Sequence, residues 1–227
     1  MQISVETNIR AIMPQLERFT SRQAPFAIAK ALTATAKQVQ AGVTNALPTS
    51  FDRPNAFTRR AFAIVPARKE GLQAIVFAKD KQAKYLKFGV QGGGRRVKAF
   101  EKRVGAQGNG DELAGTGKLV PTRNVKRDSS GGVSLATIKR ITTLANDGKT
   151  GRYFVGQPDG VGRSKGRGAG IYERISKGRM RALMLFVEPK AYKTRLDMPA
   201  IGRRIVRENF DANLRAAWAT ALATARR

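Results

Sequence analysis

The chain predicts an α+β fold, an antiparallel sheet of hairpins packed by an N-terminal helix and a long C-terminal helix, with long Gly/basic loops. Three observations carry that prediction. Apolar residues recur at helical spacing near both ends of the 227-residue chain, strand-like runs are joined by tight turns, and glycine with Lys and Arg fills the segments between. Strands that come in hairpins belong to antiparallel sheets, which separates this class from the alternating α/β one. Hydrophobic residues make up 41% of the chain, enough to build a core despite the charge. A single α+β domain over 1–227 is expected, with 90–132 as an extended Gly-rich basic arm or insertion and 156–170 as a second basic loop.

The first element is expected after a short lead-in over residues 1–24, with one helical turn around Met13 to Phe19. Pro25 sits where the first turn of a helix tolerates it. From Phe26 to Leu47, Ile28, Leu32, Ala36, Val39, Val43 and Leu47 keep helical spacing, and Pro48 closes the run. Only Lys30 and Lys37 are charged on this stretch. Two readings follow: the helix is cradled by the sheet, or its second face packs on a neighbouring subunit. Phe57 to Val65 and Leu72 to Ala78 then read as strands around the turn Ala67–Gly71. Lys81 to Phe88 reads as a short helix closed by Gly89 in a left-handed cap.

The composition changes from Val90 to Gly132, where glycine recurs and Lys and Arg are interspersed. Arg95 to Val104 carries Val97, Phe100 and Val104 and reads as a short amphipathic helix. So long a connection is functional or mobile in a compact domain, and this one is expected to be a projecting arm that orders on assembly. Ser134 is a good N-cap for a helix bearing Leu135, Ile138, Ile141 and Leu144, ended by Asp147-Gly148. Tyr153 to Val155 is a strand. Ile171–Ile175 and Ala182–Val187 form a hairpin through Ser176–Arg179. From about Pro199 to Ala225 a long amphipathic helix is expected, with Ile201, Ile205, Phe210, Leu214, Trp218 and Leu222 on its apolar stripe.

Function is bounded first by what the chain lacks. It has 43 Lys and Arg against 16 Asp and Glu, a formal net charge of +27, and neither His nor Cys. That removes disulfides, thiolate metal sites, the cysteine nucleophile and the commonest general base. The acids are scattered apart from Asp111-Glu112, and no spaced carboxylate set of the kind a two-metal nuclease needs is visible. The expectation is a protein that is not an enzyme and uses no cofactor or metal. No run approaches the roughly 18 apolar residues of a membrane span, and Met1 to Glu6 does not resemble a signal peptide.

Phosphate-binding motifs are imitated and then broken. Gly115-Thr-Gly117-Lys118 looks like the end of a P-loop, but Leu119 replaces the required Ser or Thr and Glu112 the required first Gly. The basic clusters are stronger candidates for contact with a polyanion: Arg95, Arg96 and Lys98; Lys102 and Arg103; Arg123, Lys126 and Arg127; Arg163, Lys165 and Arg167; and Arg179 with Arg181. Few aromatics lie among them, which argues against a single-strand stacking platform. Their bland alternative is a solvated basic surface, although +27 exceeds any need for solubility.

The order of segments resembles that of minor tail protein Z-like neck and tail-completion proteins of tailed bacteriophages and prophages. The residues that carry the resemblance are the Ala-rich Phe26–Leu47, Tyr85-Leu-Lys-Phe-Gly89-Val, Leu119-Val-Pro-Thr-Arg123, Gly170-Ile-Tyr-Glu-Arg174, Leu185-Phe-Val187, Tyr192-Lys-Thr-Arg195 and the basic C-terminal helix. The match lies in pattern and order over most of the chain rather than in a sharp motif, and the length of the 90–132 arm departs from it. The resemblance implies a structural virion protein at the head–tail junction, assembled in the bacterial host cytoplasm. It would complete the tail and enable head joining as a subunit of a homo-oligomeric ring around the DNA channel. Its neighbours would be the connector, the tail terminator and the tail tube, with non-specific contact to genomic DNA and none to membrane.

A ring needs a head-to-tail interface. Ile28, Leu32, Val39 and Val43 on the first helix and Phe210, Leu214 and Trp218 on the last are the candidate subunit interface. Two other classes compete. A stand-alone nucleic-acid-binding protein fits the charge but shows no recognised DNA- or RNA-binding signature. An Mg²⁺-dependent nuclease would have to draw on Asp111, Glu112, Asp128, Asp147 and Asp159.

Overall fold

The low charge of the first long helix has a structural cause: protein covers it on two sides. The computed structural model describes residues 2–5, 23–106, 117–145, 151–158, 168–176 and 179–225. In chain order these form β1 (Gln2–Val5), α1 (Gln23–Asn45), α2 (Leu47–Ser50), α3 (Ala56–Arg59), β2 (Phe62–Val65), β3 (Ala74–Ala78), α4 (Asp80–Val90), α5 (Ala99–Gly105), β4 (Lys118–Pro121), α6 (Leu135–Leu144), β5 (Tyr153–Gly156), β6 (Gly170–Ser176), β7 (Arg179–Val187) and α7 (Met198–Ala225). The architecture is α+β with antiparallel sheets, as the hairpin pattern predicts.

The chain forms two compact units, Met1–Gly92 with Lys193–Arg227, and Gly93–Tyr192. The single domain expected over 1–227 is corrected accordingly. The described residues supply the physical reason, because they hold two apolar clusters that share no residue. The segment read as a projecting arm contains α5 and β4, and its Val104, Leu119 and Val125 are buried in the second cluster. Frequent glycines interrupt the periodicity that would have announced those elements.

In the first unit, β1, β3 and β2 form an antiparallel sheet in that order. Ala74, Val76 and Ala78 on one face of β3 are buried with Phe62 of β2 against the apolar residues of α1. The far side of α1 packs on α7, its most extensive partner. Asn213 Nδ2 donates to Thr35 Oγ1 at 2.9 Å, and Gly42 lies against Ile201 and Ile205, so the two helices run antiparallel. A Cβ at Gly42 would collide with the Ile205 side chain, so this glycine sets how closely the helices approach.

This sandwich corrects the expected subunit interface. Ile28, Leu32, Val39, Val43 and Phe210 are buried within the first unit, and Leu214 and Trp218 pack against the same cluster. The low-charge faces of α1 and α7 meet the chain's own sheet and helix, with Leu214 and Trp218 half-buried at the margin.

Smaller differences have local reasons. Asn55 caps α3 by accepting the Thr58 N–H at 2.8 Å, so the strand read from Phe57 begins only at Phe62. Gly89 lies inside α4 without a left-handed φ. Its lack of a side chain makes room for the Phe51 ring, and Gly92 is the residue that takes a positive φ, of 71°. Helix α1 ends at Asn45, and Pro48 lies in the first turn of the separate α2. Strand β1 falls in a lead-in for which only helix was expected. The turn around Met13 to Phe19 and the stop at Asp147-Gly148 lie outside the described residues.

The second unit is an insertion whose ends are paired. Gly93 N–H donates to the Tyr192 carbonyl at 3.1 Å, and Tyr192 N–H returns a bond at 2.9 Å. Its sheet runs β4-β7-β6-β5, all antiparallel. Ser134 caps α6 by accepting from Thr137 N–H at 3.1 Å, as expected. Ile138 and Ile141 of α6 turn toward Ile171, Met184 and Phe186 of the sheet.

Gly170 is the tightest point of that sheet. A Cβ there would collide with the Met184 carbonyl oxygen and lie 3.0 Å from Leu185 Cα, and backbone atoms cannot swing aside as a side chain can. Gly170→Ala is expected to destabilise the second unit by about 2 kcal/mol or more, as overpacking does. Gly94→Ala faces open space and is expected to change stability by less than about 0.5 kcal/mol. Urea denaturation of the two variants checks both values.

Candidate polyanion-binding surface

In a chain so rich in cations, the first question is which cations are already committed inside the fold. Arg95 is. Its guanidinium grips Glu101 through Nη2–Oε1 at 2.7 Å and Nη1–Oε2 at 2.9 Å, and its side chain is only 18% exposed. Glu101 also accepts the Lys98 N–H at 2.6 Å, the reach-back bond of a helix start, and the Leu119 N–H at 3.2 Å. One carboxylate therefore joins Arg95, the start of α5 and the start of β4. Arg95 is corrected from a candidate DNA contact to a structural anchor.

Arg96, Lys98, Lys102 and Arg103 are exposed around α5, and Arg123, Lys126 and Arg127 are exposed after β4. Arg127 Nη2 donates to the Pro121 carbonyl at 3.1 Å. Arg163, Lys165 and Arg167 lie outside the described residues. The P-loop imitation dissolves in the fold: Lys118 opens β4, is buried, and its Nζ donates to the Lys190 carbonyl at 3.2 Å beside the Tyr192 ring.

A more ordered group of cations comes from scattered parts of the second unit. Strand register places Glu173 of β6 opposite both Tyr153 of β5 and Arg181 of β7. Glu173 is buried, yet it bonds two exposed arginines. Arg152 reaches Oε1 through Nε at 2.8 Å and Nη2 at 2.7 Å, and Arg181 reaches Oε2 through Nε at 2.6 Å. Their side chains remain 69% and 46% exposed. Arg179 stands two residues before Arg181, so strand alternation puts it on the same face.

Beside this pair is an open cleft of about 350 Å³, lined by Arg140, Leu144, Gly151, Arg152 and Tyr153. The guanidinium of Arg152 lies 5.8 Å from the Tyr153 ring centroid. On the opposite face of β6, Arg174 sits over the Phe154 ring at 4.2 Å, and Phe154 stacks on Tyr172 at 5.7 Å. Sequence reading noted Arg179 and Arg181 as a basic pair and gave Arg140 and Arg152 no role. The available signal was Glu173, an acid inside a strand that reads as buried, which requires cationic partners from neighbouring strands.

The acids follow the same logic. Burial pushes the Glu101 carboxyl up, and the Arg95 hydrogen bonds, the Lys98 N–H, the Arg95 charge and the Leu119 N–H bring it below its ordinary value. Burial likewise raises Glu173, and the bonds and charges of Arg181 and Arg152 outweigh it. Asp128, a nuclease candidate, accepts from Ser130 N–H at 2.9 Å and Gly132 N–H at 2.8 Å and so organises a turn. Asp111, Glu112, Asp147 and Asp159 lie outside the described residues. Among the described residues no three acids gather to hold a metal, and no helix is long and apolar enough to cross a membrane. No family model, curated protein or solved structure matches this chain.

A carboxyl whose folded value is depressed contributes stability in full above its unfolded value, here near 4.5, and loses it as pH falls through the folded value. The second unit is therefore expected to lose stability on acidification below about pH 4.5. Arg95→Ala, which strands a buried carboxylate, is expected to cost about 3 kcal/mol at neutral pH and less in acid. Denaturation midpoints of parent and variant measured down to about pH 3 check the sign.

Proposed function

We propose that this chain is a structural virion protein of a tailed phage or prophage, acting at the head–tail junction or upper end of the tail. In this reading it completes the tail and enables head joining as a ring subunit around the DNA channel, and it catalyses no reaction. The observation that carries the reading is the order of segments from the Ala-rich helix through the basic insertion and the Gly170–Val187 hairpin to the basic C-terminal helix. The fold supports it by giving each of those segments a defined place: α1, the second unit, the β6–β7 hairpin and α7.

Because most of the α1 and α7 stripes are spent in the core, head-to-tail contact draws on other surfaces. The second face of the first unit's sheet is one. There Ala63, Ile75 and Phe77 are half-buried and Val65 is 46% exposed, an apolar face in a basic protein. A second reading, a stand-alone nucleic-acid-binding protein, is favoured by one specific observation, the exposed arginines fixed on Glu173.

The two readings separate in one experiment. Purified chain is examined by light scattering and negative-stain imaging, alone and with phage tails that lack it. Rings, or a cap on one tail end that restores head joining, are the expected result. A monomer that ignores tails and binds DNA with a steep salt dependence overturns the ring reading.

A further inference from the structure

We propose that Arg152 and Arg181, both bonded to Glu173, together with Arg140, which lines the adjoining cleft, form a phosphodiester-binding site through which the second unit holds the backbone of duplex DNA. The inference deepens the proposed function and rests on its placing the chain at a DNA channel. It assigns the contact to residues outside the glycine-rich basic runs.

The physical case begins with Glu173. Burying a carboxylate is costly, and the usual return is a closed ion pair. Here the acid is 3% exposed while its two arginine partners stay 69% and 46% exposed. The geometry fixes two cations at a surface by their inner edges. Arg152 is engaged through Nε and Nη2 and Arg181 through Nε, which leaves further N–H donors on each guanidinium beyond those bonds. A guanidinium already held in place loses less rotamer freedom when it meets an anion than one on a free side chain.

Charge and shape agree. Two arginines are bonded to Glu173, Arg140 lines the same cleft as Arg152, and Arg179 shares the face of Arg181. The excess positive charge favours an anion, and the planar forks of arginine suit phosphate oxygens. The cleft is open, so it admits a group presented on a continuous chain. Its Leu144 and Tyr153 walls give a sugar edge apolar contact. The described residues that line it offer arginine forks and apolar walls to a backbone, so the expected binding is indifferent to sequence.

Glu173 is then a positioning residue, and that role has a distinctive signature. Glu173→Gln raises the net positive charge by one. If charge alone governs binding, the variant binds DNA more tightly. If Glu173 holds the arginines in place, the variant binds more weakly despite the added charge.

The test is fluorescence anisotropy with a labelled duplex of random sequence, titrated at several salt concentrations with the full chain. Arg140→Ala, which touches no ion pair among the described residues, is expected to weaken binding about tenfold. It is also expected to lower the salt slope by about one. Glu173→Gln is expected to weaken binding as well, with thermal melting used to confirm that each variant is folded. Arg203→Ala with Arg207→Ala removes two exposed charges from α7 and is expected to move affinity less than Arg140→Ala alone. Should Arg140→Ala bind with parental affinity and slope, or Glu173→Gln bind more tightly, the site is overturned. Loss of affinity in both variants of a parent chain that never forms rings would support the site and overturn the ring reading. Rings from a parent whose DNA affinity neither variant weakens would leave the ring reading standing and overturn the site.

Discussion

The second unit depends on two carboxylates kept out of water. Each would be prohibitively costly alone, because an ion loses far more in hydration than a weak partner returns. Each is tolerated because donors converge on it: Glu101 takes both arms of Arg95 and two backbone N–H groups, and Glu173 takes Arg152 from the lead into β5 and Arg181 from β7. These acids fasten together pieces that glycine-rich sequence would leave loosely tied. Glu101 joins α5 to β4, and Glu173 spans β5, β6 and β7. Among the described residues no buried side-chain nitrogen or oxygen lacks a hydrogen-bond partner, so the polar interior is closed.

The first unit solves the opposite problem by excluding charge. Helix α1 lies between a sheet and α7, so an ionic side chain on either covered face would have to be desolvated. What polar contact remains is neutral, with Asn213 donating to Thr35 and, at 2.7 Å, to Gln38. The positive charge of α7 sits instead at Arg203, Arg204, Arg207 and Arg215, all exposed. The two units thus illustrate two ways for a chain of +27 to fold: keep charge away from the core, or bury a scarce acid to anchor the surplus.

Regular elements were legible wherever one physical signal dominated. Helices α1 and α7 carry uninterrupted periodicity over five turns or more. The β6–β7 hairpin is written in two apolar runs around a turn, and the start of α6 in its Ser134 cap. Signals failed where contacts depend on distant partners. Strand β1 has four residues and exists through its pairing with β3. Residues Phe57 to Arg59 look like strand but follow Asn55, whose cap commits them to helix. The apolar stripes of α1 and α7 were visible, but periodicity shows only that a face is covered, not whether the cover is another chain. Here they cover each other.

The basic residues show why a candidate site is harder to read than a helix. A run such as Arg95-Arg96-Val-Lys98 measures nearness along the chain, whereas an anion responds to nearness in space and to how firmly each cation is held. Arg95 is prominent in the sequence and is consumed by Glu101. Arg140 and Arg152 are inconspicuous, come from α6 and the lead into β5, and line one cleft. Net charge acts over roughly the 8–10 Å of a Debye length, where it raises encounter rates without choosing a face. Choice of face requires cations whose positions are fixed before the partner arrives. In this fold a single buried acid fixes two of them, so a residue of the rarer sign determines where the abundant one is organised.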